Sequence, residues 1–277
     1  MTIDAQRLDT IEKNAITVIG VPYDENSTYM QGAAGGPPKI REALHCGSAN
    51  LCSEDGVDLG VQTLFNDLGD MEFAQSSAPL DAIQQFVGKL LEKEARVLVL
   101  GGDHAITPAV LRAYHEKFGR INVLHFDAHP DLYESFEGNR DSHACPFARI
   151  MEEKLAKRLV QVGIRTMNPH QQNQAEKFGV EVVDMQSWRP GMRFDFSGPL
   201  YISLDMDALD PAFAPGVSHH EPGGLSTRDL LTMIQAIDVP VLGADIVEFN
   251  PLRDVSGMTA MVAAKLMKEL ASKMLND

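Results

Sequence analysis

The chain has 277 residues, 44% of them hydrophobic, which is enough for a large core, and no linker or charge block divides it, so one domain is expected. Its 24 Lys and Arg face 39 Asp and Glu, a net charge of −15. With no basic cluster this excludes a footprint for nucleic acid and suits a small cationic partner. No run is long enough to span a bilayer.

The three cysteines, Cys46, Cys52 and Cys145, have no C-x-x-C spacing, so neither a disulfide framework nor a zinc ribbon is expected. The polar N-terminal stretch of mixed charge lacks the features of a leader. Together these readings predict a cytoplasmic protein.

In chain order, apolar runs predict strands at 16–21, 96–100, 121–126, 200–204 and 241–247. Between them lie stretches of helical composition. "GGPPKIREALH" opens a helix with Pro in its first turn, and "PLDAIQQFVGKLLEKEA" and "ITPAVLRAYHEKFG" follow. "QGAAGGPPK" lacks the spacing of either common phosphate-binding loop, so no nucleotide cofactor is expected. "GMTAMVAAKLMKELASKML" closes the chain as an amphipathic helix, with Met258, Met261, Met267 and Met274 expected in the core or at a subunit contact. Strands alternating with helices predict an α/β fold: a single-domain three-layer α/β/α arrangement with a mostly parallel central sheet.

Three of the apolar runs end in side chains that can bind metal. "NVLHFDAHPDLY" places Asp127, His129 and Asp131 at alternate positions, which an extended backbone would turn to one face. "PLYISLDMDALDP" repeats the pattern with Asp205 and Asp207; Leu209 and Asp210 replace the ligand and glycine that a calcium loop of the EF-hand type needs. "RVLVLGGDHAIT" runs through Gly101 and Gly102, read as permitting a tight turn, to Asp103 and His104. In a parallel sheet, ligands bind beyond the carboxyl ends of the strands, where all these residues fall. Two imidazoles and four carboxylates form a hard, oxygen-rich set that favours Mn²⁺, and carboxylates able to bridge suggest a pair of ions. Such a pair activates water for attack on an electrophile, which is the machinery of a hydrolase.

The blocks "GGDHAIT", "FDAHPDLY", "SLDMDALDPAFAPGVSH" and "DIVEFNP" resemble the signatures of the ureohydrolases, the arginase and agmatinase family. The resemblance covers nearly the whole chain. "YESFEGNRDSHACPFARIMEE" and "DPAFAPGVSHHEPGGLS" are most similar to the plant-type arginases. It implies one Mn²⁺ on His104, Asp127, Asp131 and Asp205 and a second on Asp127, His129, Asp205 and Asp207. It also implies that Glu248 captures a guanidinium group with both carboxylate oxygens, that His143 gives a proton to the departing amine, and that Asp131 orients the attacking water.

The activity implied is release of urea from a guanidino compound, with arginine the expected substrate and agmatine or another guanidino compound the alternative. Zinc deacetylases of similar fold are disfavoured by the complete two-metal set. For the far end of the substrate, Asn139 and Ser142, with Arg140 between them, are the candidate contacts. Tyr133 stands where animal arginases carry an Asn, and Asn168 stands where they carry an Asp that receives the α-amino group. His219 and His220 are open between a specificity role and a structural one. A homo-oligomer, trimer or hexamer, is also implied.

Overall fold

The apolar runs form the middle of one sheet. In this computed structural model, residues 3, 8–73 and 78–276 are described, so part of the polar N-terminal stretch lies outside the described residues. In chain order the elements are β1 (Ile16–Val21), α1 (Gly36–Leu44), β2 (Phe65–Asp70), α2 (Pro79–Glu92), β3 (Arg96–Gly101), α3 (Thr107–Phe118), β4 (Ile121–Phe126), α4 (Pro146–Glu152), β5 (Ala156–Ile164), α5 (Pro169–Phe178), β6 (Glu181–Asp184), β7 (Leu200–Asp205), α6 (Thr227–Gln235), β8 (Val241–Val247) and α7 (Met258–Leu275). The strands run in the order β2-β1-β3-β8-β7-β4-β5-β6. Every pairing is parallel, so the sheet is wholly rather than mostly parallel.

Parallel strands covered on both faces need apolar side chains at every position. β1, β4 and β7 accordingly are buried along their whole length. Alternate residues feed two cores. Leu98, Leu124, Ile202 and Ala244 pack with Ile40 of α1, Ile234 of α6 and Leu266 of α7. Val97, Val99, Val123 and Tyr201 pack on the other face with Val87 of α2, Val110 of α3 and Phe147 of α4. Of the α7 methionines, Met267 and Met274 are fully buried, Met261 is partly buried against the core, and Met258 is exposed.

Three strands escape the pattern search. β2 and β6 lie at the two edges of the sheet, and both are largely half-exposed. Their polar residues, as in "FNDLGD", are tolerated because one side of an edge strand meets solvent. β5 carries Lys157, Arg158 and Gln161, which break the apolar run that marks its neighbours.

Register positions the site. Leu100, Ile246, Leu204 and Phe126 lie level across β3, β8, β7 and β4. These four strands are contiguous at the centre of the sheet, and the residues that follow them emerge together at its carboxyl edge. The glycines at the end of β3 serve this convergence by their lack of volume rather than by an unusual turn conformation. A Cβ on Gly102 would lie 1.9 Å from the Tyr23 carbonyl oxygen, and one on Gly101 would lie 2.6 Å from Ile106 and Val247 side-chain atoms.

Gly102→Ala is therefore expected to destabilise the fold by about 3 kcal/mol, the upper end for overpacking, because the clash is with backbone that cannot swing aside. Guanidinium denaturation reads this directly. An unchanged midpoint and slope would mean that the β1 to α1 loop yields freely.

Candidate functional site

The D-x-H-x-D run does not continue β4 as an extended strand. The chain bends at residues 128–129, and Asp131 has a left-handed backbone with φ 51°. Asp207 likewise sits on a 3-10 turn, Met206–Ala208, instead of continuing β7. Alternation along a strand is thus not what gathers these groups. Each leading aspartate folds its own loop: Asp127 Oδ1 accepts the His129 N–H at 2.6 Å, and Asp205 Oδ1 accepts the Asp207 N–H at 2.7 Å. Asp207 Oδ1 in turn accepts the Ala128 N–H at 3.1 Å, tying the two loops together.

On one side of the resulting cluster, His104 Nδ1 faces Asp205 Oδ2 at 3.2 Å, Asp131 Oδ2 at 3.3 Å and Asp127 Oδ2 at 3.4 Å. This nitrogen is buried and has no hydrogen-bond partner. The other ring nitrogen explains why. Ser203 Oγ donates to Asp245 Oδ1 at 2.7 Å and so accepts from His104 Nε2–H at 2.9 Å, which leaves the Nδ1 lone pair aimed at three carboxylate oxygens. Asp245 is itself buried and also accepts from Tyr201 and Thr107 hydroxyls. A lone pair facing carboxylates is an arrangement for a cation.

On the other side, His129 Nδ1 lies 3.0 Å from Asp207 Oδ2 and 3.4 Å from Asp127 Oδ1. Asp127 therefore offers one oxygen to each histidine. His125, which the sequence did not suggest, holds it there: its Nε2–H donates to Asp127 Oδ2 at 2.8 Å, and Gln161 Nε2 donates to its Nδ1 at 3.0 Å. Burial pushes His125 down to about 4, so it is a neutral donor. Only its place near the end of β4, two residues before Asp127, could have marked it.

The carboxylates repel one another in a water-poor setting. Burial, then Asp207 and Asp127, hold Asp205 well above the usual carboxylate range, and burial with Asp127 pushes Asp131 up to about 7. Burial opposes charging His129, but Asp207 and Asp127 push it up to about 12. Both directions describe a cluster short of positive charge. All six candidate ligands converge, and their donor chemistry fits a pair of hard divalent ions.

Glu248 follows β8 in a left-handed backbone, φ 64°. Its Oε1 accepts the His104 N–H at 2.9 Å and the His143 Nδ1–H at 2.8 Å. Its Oε2 has no partner among the described residues, so one oxygen rather than two is open. Burial tends to neutralise His143, but Glu248 outweighs this and pushes it up to about 9. A cavity of about 240 Å³ opens over the cluster, lined by His129, Asp131, Asp205, Asp207, His143 and Glu248 and also by Thr28, Tyr133, Phe136, Ala144, Thr166, Gln171 and His219.

The candidates for the substrate's far end fare differently. Asn139 is exposed and spends its amide on Asn26 Oδ1 at 2.9 Å. Ser142 is buried, accepts the Ala144 N–H, and faces a separate small cleft with Arg140 and Arg149. Arg140 is turned to Glu152. None of the three lines the cavity, because the loop that carries them curls outward before His143. Tyr133 does line it, with its hydroxyl held by Asn168 Nδ2 at 2.5 Å and its ring stacked on His170. Asn168 caps α5 through Gln171 N–H. His219 lines the cavity beside His129 and His143, whereas His220 donates to the Pro215 carbonyl. Thr28, Thr166 and Gln171 were not foreseen; they sit in polar loops and a helix start that look ordinary in sequence.

Comparison with known proteins matches residues 14–272 to the Arginase family. "Arginase 1, mitochondrial" of Arabidopsis thaliana is 48% identical over 278 residues, covering 94% of this chain and 81% of that protein. "Proclavaminate amidinohydrolase" of Streptomyces clavuligerus is 36% identical, over 92% of this chain and 86% of that one. The solved structure of arginase from Medicago truncatula superimposes with a TM-score of 0.89 at 41% identity, covering 97% of this chain and 91% of that one. The chain belongs to the Arginase family, and with it to the hydrolases that act on amidines.

Proposed function

We propose that the chain is an arginase that uses two Mn²⁺ ions to hydrolyse L-arginine to L-ornithine and urea. The observation that carries the proposal is the unpartnered His104 Nδ1 facing three carboxylate oxygens, next to an Asp127 shared between His104 and His129. Arginine is favoured because the plant relatives at 44–48% identity bear the name arginase. When bound, the ions supply activated water for attack on the guanidinium carbon.

The chain's own groups do the rest. Glu248 Oε2, open to the cavity, pairs with the guanidinium and fixes its plane; a grip by both oxygens needs His143 to release Oε1. Asp131 orients the attacking water, and His143 supplies the proton to the departing amine. The Gln171 side chain is buried, lines the cavity and has no partner among the described residues, which makes its amide a neutral contact for the amino-acid end. Agmatinase is the second reading, on one observation: no Lys or Arg lines the cavity, so a substrate carboxylate finds no countercharge there.

The remaining parts of the proposal are a cytoplasmic setting and a homo-oligomer, trimer or hexamer. All three cysteines are free thiols, which suits a reducing compartment. Leu252, Val255 and Met258 expose apolar side chains in one short segment that leads into the first residue of α7, a patch suited to a subunit contact. Among the described residues no helix is long and apolar enough to cross a membrane.

Elemental analysis should find two Mn²⁺ per chain in the wild type, fewer than one in Asp127→Ala, and about one in His129→Ala. Loading at a hundredfold excess over Kd should add about 2.7 kcal/mol of stability per site, lost on chelation. A single zinc supporting full activity would remove the two-manganese reading.

Removal of the Glu248 countercharge should cost a charged hydrogen bond of roughly 1.5–3 kcal/mol, so Glu248→Gln is expected to lower kcat/KM about ten- to a hundredfold with the fold intact. Parity with wild type would reject guanidinium capture by this residue.

Urea release from arginine, agmatine, guanidinobutyrate and guanidine decides the substrate. Arginine should lead agmatine at least about tenfold in kcat/KM, and Gln171→Ala should narrow the gap by penalising arginine. If agmatine matches or exceeds arginine, the agmatinase reading replaces this one.

A further inference from the structure

His143, placed above as the proton donor, has both ring nitrogens engaged. Nδ1–H is committed to Glu248 Oε1. Nε2 lies 2.8 Å from Thr28 Oγ1 and 3.2 Å from the Thr28 backbone N. Thr28 itself lines the cavity. A proton leaving Nε2 therefore meets the threonine hydroxyl first. We infer that Thr28 relays the proton from His143 to the departing amine, an inference that rests on the donor role proposed for His143.

Thr28 is held there by a scaffold that no metal ligand enters. Asp24 Oδ2 accepts the Gly32 and Ala34 N–H groups at 2.7 and 3.1 Å, closing the loop that carries Thr28. Asn26 N–H and Ser27 Oγ–H both donate to the buried Asp103 Oδ2, at 3.0 and 3.3 Å. The Asn26 carbonyl accepts the His143 N–H at 3.2 Å, and Asn26 Oδ1 accepts from Asn139. The loops bearing donor and relay are thus pinned to each other by backbone two residues before Thr28. Asn139, which does not line the cavity, is part of this brace.

The proton count closes. With His143 protonated, Nε2–H donates to Thr28 Oγ1 while the hydroxyl proton points to the amine nitrogen. As the C–N bond breaks, its electron pair stays on nitrogen. That nitrogen takes the Oγ1 proton, and Oγ1 takes the proton from Nε2. His143 ends neutral, Thr28 is unchanged, and the proton that the attacking water gives up to solvent restores the imidazolium. In the neutral state Nε2 accepts the Thr28 backbone N–H, which keeps the ring in place between turnovers.

Four variants of the manganese-loaded full chain test this: Thr28→Val, which keeps shape and backbone N–H but removes the hydroxyl; Thr28→Ser, which restores it; His143→Ala; and the Thr28→Val/His143→Ala double. Thr28→Val should lower kcat for arginine at least about tenfold, with KM within about twofold and two Mn²⁺ retained by elemental analysis. Thr28→Ser should recover to within about threefold of wild type. The double variant should be no slower than His143→Ala, since one pathway can be cut only once.

If Thr28→Val keeps kcat within about twofold while His143→Ala is slow, the relay is overturned and the donor role of His143 stands. If His143→Ala also keeps its rate, the donor role falls too. A Thr28→Ser enzyme as slow as Thr28→Val overturns the relay as well. Should Thr28→Val lose metal or its cooperative melting transition, Thr28→Ala takes its place under the same criteria, with the serine comparison unchanged.

Discussion

Four carboxylates, Asp127, Asp131, Asp205 and Asp207, are buried within reach of two imidazoles at one edge of a sheet. Concentrating like charge in a low-dielectric setting is unfavourable unless cations or protons compensate. Much of the surrounding structure is a response to this. The aspartate loops are closed by backbone N–H donors, the sheet supplies a rigid platform of four level strands, and two residues accept left-handed backbone to bring Asp131 and Glu248 inward.

Behind the ligands lies a second set of constraints. Asp245, satisfied by three hydroxyls, orients Ser203, and Ser203 fixes the tautomer of His104. His125, clamped between Gln161 and Phe147, orients Asp127. Asp245, Ser203 and His125 come from the buried central strands, where side chains have little room to rearrange. For the proposed metal pair, affinity is thereby coupled to packing of the sheet as much as to the six candidate donors.

The cavity above the cluster divides by rigidity and origin. Its floor belongs to strand ends. Its remaining wall belongs to loops and the start of α5: Thr28, Tyr133, Thr166, Gln171 and His219. In the proposed function, the strand-end groups with His143 and Thr28 act on the guanidino group common to all such substrates, and the other lining residues, mostly neutral polar and aromatic, meet the substrate tail.

The alternation of apolar runs with helical stretches determined the layered parallel architecture, because strands covered on both sides must be apolar throughout. Ligand-type residues at the ends of three such runs, His104, Asp127, His129, Asp131, Asp205 and Asp207, determined that groups able to bind metal gather in one place, since strand ends in a parallel sheet share one edge. Edge strands β2 and β6 were illegible because solvent permits polar residues there, and β5 because its charged positions interrupt the run. Nor could local spacing show that Asp131 leaves the extended conformation, or that Asn139 and Ser142 turn away from the cavity. Only tertiary structure brought Thr28 to His143, across 115 residues of chain, and Ser203 to His104, across 99. Composition and periodicity report what each segment must bury. Which hydrogen-bonding groups meet is decided by loop closure between segments far apart, and no local pattern encodes that.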